Sequence, residues 1–509
     1  MGSVVKNTPV KEIPQIVSDL RASFLTGKTR SIEYRKKQLK QFAYLIADHE
    51  QDFSKAIAMD LGRPTMETGF AEIISVKNEI IETVQNLSKW AKPESVSAGP
   101  AYALHGKQIR KDPQGTVLVM GAWNYPITVQ LGPMVGAIAA GNTAILKPSE
   151  LAPHSAQLIA DLWPEYMDPE TSRIVNGGID ESSTLLDQRF EHIFYTGNGR
   201  VGRIIAEKAA KCLCPTTLEL GGKSPVIVDA TADLKIAAHR ILWAKAFNTG
   251  QTCIAPDYVL VERSVQDRLV AELEKAADEF WPSMDKTVED FGRMVNERHW
   301  QRVYDLIDKT NGDVVLGGTK VADQPTKFLP LTIVKNVTSS DSTMSEEIFG
   351  PVLPLMPFDK IREAVDFVNA NDQPLALYMF TNSKAVKEYI LTYTRSGAAV
   401  SGDLLLHYVI SELPFGGTGP AGYGAYHGKT SFDCFTHHRS FVDAPASGFV
   451  GKLVEKIMAR RYPPYSSSKM AFFKLALGKY MLFGRPSNPT QSTTSINNPI
   501  AKSVRKNLM

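Results

Sequence analysis

Cysteine is scarce in this chain, with four residues in 509. So few thiols exclude a disulfide scaffold and fit a reducing compartment. Cys212 and Cys214 form C-x-C, and none of the ten histidines supplies a ligand spacing, so no metal site is predicted. An excess of one charge is also lacking: 57 Lys and Arg stand against 54 Asp and Glu, a formal net of +3. The first thirty residues contain no continuous apolar core, so no secretory leader is expected. Lys6 stands where myristoylation after Met1-Gly2 needs Ser or Thr. Long uninterrupted apolar runs are missing too. Residues 113–146 carry no charge, but Gly115, Gly121, Pro126, Gly132, Pro133, Gly136 and Gly141 interrupt them. That pattern predicts a buried strand–loop–helix–strand rather than a membrane span.

What is present reads as globular: 43% apolar and 22% charged residues. The length predicts about two to four domains at about 150 residues each. The small net charge is a cancellation. Residues 451–509 carry eleven Lys and Arg against one acid, Glu455, which makes this tail +10 and the body before it −7. A mildly acidic body argues against a nucleic-acid partner, while the tail leaves an anionic surface open.

Residues 1–91 are helical in pattern, with Phe42, Leu45, Ile46 and His49, then Phe70, Ile73 and Ile74, then Ile80, Ile81 and Val84 at helical spacing. Residues 92–114 are rich in Pro, Gly and Ser and read as an arm or a small strand pair. From 116 a strand–helix rhythm begins. Apolar strands are predicted at 116–121, 143–146, 173–176, 192–195, 215–220 and 224–228, and helices at 129–140, 154–162, 200–210 and 233–247, with Gly250 as the stop signal of the last. This alternation predicts an α/β fold with a doubly wound parallel sheet, whose ligands bind at the carboxyl ends of the strands.

Gly197-Asn198-Gly199-Arg200-Val201-Gly202 is a literal G-x-G-x-x-G between a strand and a helix. Alone it points to a dinucleotide, with Glu219 as a ribose ligand, or to a plain strand-to-helix turn. Glu219 ends a strand at Leu218-Glu219-Leu220-Gly221-Gly222, which equally suits a catalytic carboxylate. Cys253, in Gly250-Gln251-Thr252-Cys253, lies in a loop on a rigid scaffold, a good place for a nucleophile.

Five segments change the weight of these signals. They are Trp123-Asn124-Tyr125-Pro126, Leu146-Lys147-Pro148-Ser149-Glu150, Leu218–Pro225, Gly250–Cys253 and Glu346-Glu347-Ile348-Phe349-Gly350-Pro351. In that order they resemble the aldehyde dehydrogenase superfamily over residues 10–445. Gln251–Tyr258, Pro414–Gly417, Gly424–Lys429 and Arg461–Pro464 resemble its class 3 or fatty-aldehyde branch, fungal long-chain enzymes among them. Gly199 departs from that branch, so it is discounted as a phosphate-gripping residue, and the ribose reading of Glu219 falls with it.

The resemblance implies a division of the chain. Residues 1–91 and 115–220 form a cofactor-binding domain and 221–413 a catalytic domain. Residues 92–114 and 414–445 form an oligomerisation arm, and 446–509 a basic tail. It implies Cys253 as nucleophile, Asn124 with the Cys253 N–H as oxyanion donors, and Glu219 as the base that releases the acid. It implies NAD as cofactor, with NADP open. Lys147 and Glu150 would meet the adenosine ribose and Glu347 the nicotinamide ribose. Phe349 and Trp123 would stand beside the cofactor and Gly197 close to it. Long-chain aldehydes are the expected substrates, with aromatic or apocarotenoid aldehydes as the alternative and a non-catalytic structural relative as another. Acyl-phosphate or semialdehyde reduction is disfavoured by the presence of Glu219. A homodimer is implied. Residues 470–483 are too short to span a bilayer, and Lys474 and Lys479, about 140° apart on a helical wheel, leave no clean amphipathic face; snorkelling lysine stems and the +10 charge suggest a segment on a membrane or lipid-droplet surface. The expected location is intracellular, at the cytosolic face of endoplasmic reticulum, outer mitochondrial membrane or lipid droplet. Tunnel cover is the competing role for that segment. His427 matches a branch-specific position of unassigned role.

Overall fold

A computed structural model describes residues 5–99, 102–479 and 482. Residues 5–90 and 113–435 cluster as one unit, and 91–112 with 436 onward as a second. The first unit holds two open sheets. The six-stranded sheet runs, in spatial order, Gly422–Tyr423, Thr216–Glu219, His192–Thr196, Thr116–Met120, Thr143–Lys147 and Ser172–Ile174. All of its pairings are parallel except that of Gly422–Tyr423, which is antiparallel. The strands read as continuous apolar runs because helices cover them. Thr116–Met120, Thr143–Lys147 and His192–Thr196 are buried at every position. Helices Ile13–Leu25, Thr128–Ala140, Pro153–Tyr166 and Gly199–Lys211 supply the cover. Ile13, Val17, Leu20, Leu118, Ile145, Ile193 and Ile205 join in one core cluster.

The seven-stranded sheet runs Asp313–Leu316, Thr332–Lys335, Val352–Phe358, Tyr258–Glu262, Pro225–Val228, Ala376–Phe380 and Ala398–Ser401. Only its Asp313–Leu316 edge is antiparallel. Both sheets are therefore doubly wound, as the strand–helix rhythm predicts.

Two local expectations are corrected. Residues Gly69–Ile74 form a wide π-type turn rather than continuing an α-helix. The extra residue in such a turn rotates the face, so Ile73 is buried while Phe70 and Ile74 are each 48% exposed. The helix Leu234–Ala246 agrees with the expected 233–247, and a short 3-10 turn Phe247–Gly250 follows it, in which Asn248 and Thr249 adopt left-handed backbone. Helix Ser467–Leu477 ends at Gly478, so Lys479 lies beyond it and shares no helical wheel with Lys474. Positions 480, 481 and 483 of the expected 470–483 segment lie outside the described residues.

The second unit contains a three-stranded sheet of Glu94–Ser95, Gly106–Pro113 and Thr436–Asp443. The expected strand pair in 92–114 supplies two of these strands. Only the later part of 414–445 joins them. Residues 414–435 lie in the first unit instead, since Gly422-Tyr423 pairs with Leu218-Glu219 and Phe415 packs on Tyr426. Helix Gly448–Met458 follows in the second unit and leaves Phe449, Val450, Leu453 and Ile457 exposed.

Phe194 is fully buried, with Tyr426 at 5.1 Å and Phe435 at 6.0 Å between ring centroids. Phe194→Ala is expected to destabilise the fold by about 3–5 kcal/mol, read as a lowered midpoint in urea or thermal unfolding.

Candidate active site

Parallel strands deliver their carboxyl ends to one edge of a sheet, and four sequence-predicted residues stand there. Lys147 and Glu219 are the last residues of their strands, Gly197 follows His192–Thr196, and Asn124 lies in the turn after Thr116–Met120.

That turn is pinned by a buried ion pair. Arg63 and Glu72 are both fully buried and bonded to each other. The other Glu72 oxygen accepts from the Ile127 and Thr128 N–H groups at 2.6 and 3.1 Å. It so takes up free donors at the start of helix Thr128–Ala140, where negative charge also suits the helix dipole. Burial pushes the Glu72 carboxyl up, and Arg63 and these two N–H groups oppose it. Arg63 also donates to the Asn124 carbonyl and, at 3.0 Å, to the Asn248 side-chain oxygen. Its guanidinium lies 4.6 Å over the Tyr125 ring. The Asn248 amide donates to the carbonyls of Asn124 and Gln251 at 2.9 and 3.0 Å. The Asn124 amide reaches the same Gln251 carbonyl at 3.1 Å. The Trp123–Ile127 turn and the 247–253 loop are thereby tied through one guanidinium.

The loop is bent hard. Asn248, Thr249 and Gly250 have φ of 52°, 57° and 71°. Tyr125 completes the hold through a 2.6 Å bond between its hydroxyl and that of Thr252. Cys253 comes next, half-buried, in the wall of a cavity with about 680 Å³ of empty space. Glu219 stands in the same wall. Most of the remaining lining is apolar and aromatic, with Phe70, Tyr125, Trp243, Phe247, Phe415 and Tyr426. An apolar hollow with a few polar groups in its wall suits a small organic ligand.

Electrostatics single out these two side chains. Both Glu219 carboxylate oxygens are buried and find no hydrogen-bond partner among the described residues. Burial alone pushes its pKa well above the usual carboxylate range. Cys253 is pushed up to about 12 by burial, with Glu347 and Glu219 adding repulsion. An unpartnered buried carboxyl beside a nucleophile is poised to take a proton from a group entering between them.

The remaining predicted residues fall into two places. Lys147 is buried and ion-paired to the exposed Glu150 at 2.7 Å. Glu150 lines an open surface recess with Asn7, Gly178, Ile179, Asp180 and Glu181. Gly197 donates its N–H to the Glu219 carbonyl at 3.0 Å, and a side chain there would strike the Tyr195 hydroxyl at 2.2 Å. Gly199 only opens a helix capped by Asn198, whose side chain accepts from Val201 N–H at 3.0 Å. Nearer the cysteine, Phe349 holds φ of 47° and meets Trp123 edge-on at 5.4 Å. Glu347 is pushed up to about 8, chiefly by burial and then by Asp257, against the Gly222 N–H and Lys223. His427 is buried against Tyr408 and Phe415, and burial with His407 nearby pushes it down to about 3.

Arg63, Glu67, Glu72, Asn248 and Lys245 escaped the sequence reading. Lys245 is fully buried and its ammonium has no hydrogen-bond partner among the described residues. Burial pushes it down to about 8. The available signal was a charged residue inside an otherwise apolar face, as in Leu234–Ala246.

The Aldehyde dehydrogenase family profile matches residues 3–441, most of the chain. This chain belongs to the aldehyde dehydrogenase family. Aldehyde dehydrogenase family 3 member A2 of Rattus norvegicus is 41% identical over 474 residues, covering 92% of this chain and 95% of that protein. The dimeric NADP-preferring aldehyde dehydrogenase of the same species is 42% identical, covering 91% and 99%. Among solved structures, the substrate-bound Staphylococcus aureus AldH superimposes with a TM-score of 0.86 at 38% identity, covering 91% of this chain and 99% of that one.

In this aldehyde dehydrogenase, Arg63→Ala leaves Glu72 as an uncompensated buried charge. It is expected to cost about 3–5 kcal/mol, measured as a lowered unfolding midpoint. Arg63→Lys keeps the charge but loses the planar fork. It is expected to lower kcat by about 10²-fold through misplacement of Asn124 and the cysteine loop, measured by steady-state rates.

Proposed function

We propose that this aldehyde dehydrogenase oxidises long-chain aliphatic aldehydes to carboxylic acids with NAD or NADP. The observation that carries the reading is the shared cavity, in which Cys253 and an unpartnered Glu219 carboxyl meet apolar and aromatic walls. Such walls solvate an alkyl chain and leave its polar end to the few polar groups present.

The Cys253 thiol loses its proton to solvent water, and its sulfur forms a C–S bond to the aldehyde carbon, turning the carbonyl oxygen into an oxyanion. The Asn124 amide, which spends one hydrogen on Gln251, has a second to offer this oxygen, together with the Cys253 N–H. Nicotinamide, when bound, would supply the hydride acceptor. With hydride gone, Cys253 carries a thioester. Glu219 takes a proton from water, the water oxygen bonds to the acyl carbon, and the C–S bond breaks as Glu219 returns that proton to the departing sulfur, releasing the acid and the thiol. The Lys147–Glu150 pair and the recess beside Glu150 would receive an adenosine and its ribose. Glu347, with Phe349 and Trp123 together, fits the nicotinamide end. One relative carries NADP preference and dimeric assembly in its name, which supports the cofactor pair and a homodimer here.

For the tail we propose a seat on an anionic membrane or lipid-droplet surface inside the cell. Helix Gly448–Met458 presents Phe449, Val450, Leu453 and Ile457 to solvent beside Lys452 and Lys456. Helix Ser467–Leu477 has no buried residue and exposes Met470 and Leu475. Arg460 lies 4.5 Å over the Phe472 ring. Among the described residues no helix is long and apolar enough to cross a membrane. The apolar stripe of Gly448–Met458, flanked by Lys452 and Lys456, suits an in-plane position.

Cys253→Ala is expected to abolish oxidation. Glu219→Gln should give one rapid equivalent of NADH and then stall as the acyl-enzyme, read by stopped-flow absorbance and intact mass. A Glu219→Gln enzyme with full steady-state rate would remove that base from the mechanism. The full chain is expected to float with vesicles containing anionic lipid, and a chain lacking residues 465–509 to lose at least half of that binding. Equal flotation of both would sink the tail assignment.

A further inference from the structure

The three left-handed residues before Cys253 raise the question of what holds them. Such backbone persists only where its surroundings over-determine it. Arg63, Asn124 and Gln251 hold the Asn248 side chain. The backbone N–H at the head of the run goes elsewhere: Asn248 N–H donates to Glu67 Oε2 at 2.9 Å. Glu67 sits on the short helix Thr65–Thr68, is partly covered, and does not line the cavity shared by Cys253 and Glu219. None of the steps above uses it.

We propose that Glu67 is a positioning residue for the nucleophile. Its carboxylate fixes the Asn248 N–H and, through the left-handed run that follows, the place of Cys253. This rests on Cys253 being the nucleophile of the proposed reaction.

A carboxylate holds an N–H more tightly than a neutral acid does, so the hold depends on Glu67 being ionised. The groups facing Glu67 are Arg63, Asp290, the Asn248 N–H and the Tyr125 phenol, with Glu72 paired to Arg63 behind. Burial and Asp290 disfavour the charge, while the Asn248 N–H and Arg63 favour it, and the balance sets Glu67 at about 7. Above that pH the loop is clamped and below it the clamp loosens. The effect on stability has the opposite sign. A carboxyl whose folded pKa exceeds its unfolded value binds its proton more tightly in the native state. Acidification through about pH 7 therefore stabilises the fold through Glu67 while it slackens the loop, so a falling rate there is not unfolding.

The test compares full-length wild type, Glu67→Gln and Glu67→Ala between pH 6 and 9. One readout is kcat on a long-chain aldehyde with saturating NAD. The other is the rate of Cys253 alkylation by iodoacetamide, followed by peptide mass. The wild-type to Glu67→Gln ratio of kcat is expected to rise from about 1 at pH 6 to about 5 at pH 8.5, with its midpoint near 7 and KM within about twofold. The alkylation ratio should follow the same midpoint. Glu67→Ala should lose about tenfold or more in kcat across the range. A pH-independent ratio in both readouts, or Glu67→Ala with wild-type kcat, overturns the proposal. Should Glu67→Ala fail to fold, the Glu67→Gln ratio decides alone. If wild type oxidises no aldehyde, the proposed activity falls, and the alkylation ratio still decides the role of Glu67.

Discussion

The site depends on one buried ion pair. Arg63 and Glu72 lie in the helical segment that precedes the six-stranded sheet, yet between them they bond the helix start at Ile127 and Thr128, the Asn124 carbonyl and the Asn248 side chain. A guanidinium offers five donors in a rigid plane, and here that plane stacks on Tyr125 while its edge serves two loops. A buried pair of this kind contributes little net stability, because desolvation offsets its attraction. Its value is geometric. The turn that carries Asn124 and the loop that carries Cys253 arise from different sheets, and without a shared partner each would settle independently.

The same low dielectric that makes this pair costly gives the acidic groups near the cysteine their character. Glu67, Glu219 and Glu347 are all raised, each chiefly by burial. They differ in what they touch. Glu67 accepts a backbone N–H, Glu347 faces Asp257 and Lys223, and Glu219 touches no donor among the described residues. Three carboxyls in similar burial are thus sorted by their partners into a clamp on a backbone N–H, a group set between an acid and an ammonium, and an unpartnered carboxyl. The Cys253 thiol, raised by the same burial, stays protonated at neutral pH until a base takes its proton.

Much of the fold was legible in the primary structure. The parallel strands are buried on both faces, and so Thr116–Met120 and Thr143–Lys147 read as unbroken apolar runs bounded by Gly and Lys-Pro. Places where the reading slipped have a common cause in long-range contact. Gly69–Ile74 widens into a π-type turn that local spacing does not announce. The left-handed run between helix Leu234–Ala246 and Cys253 went unread because the groups that hold it, Arg63 and Glu67 among them, are distant in sequence. Likewise the body of 414–435 stays with the six-stranded sheet through the Gly422–Glu219 pairing, a contact across about two hundred residues of chain.

Sequence alone determined the chemistry available: Asn124, Glu219 and Cys253 in segments whose order resembles one superfamily, and a −7 body followed by a +10 tail. It determined which side chains sit at strand ends, since hydrophobic patterning marks where each strand stops. Tertiary structure decided which of them face one another. The cavity joining Cys253 to Glu219, the orphaned Glu219 carboxyl and the Arg63–Glu72 hub depend on distances between groups far apart along the chain. Burial and hydrogen bonding set the protonation of those groups, and both are properties of the packed molecule rather than of any local run of residues.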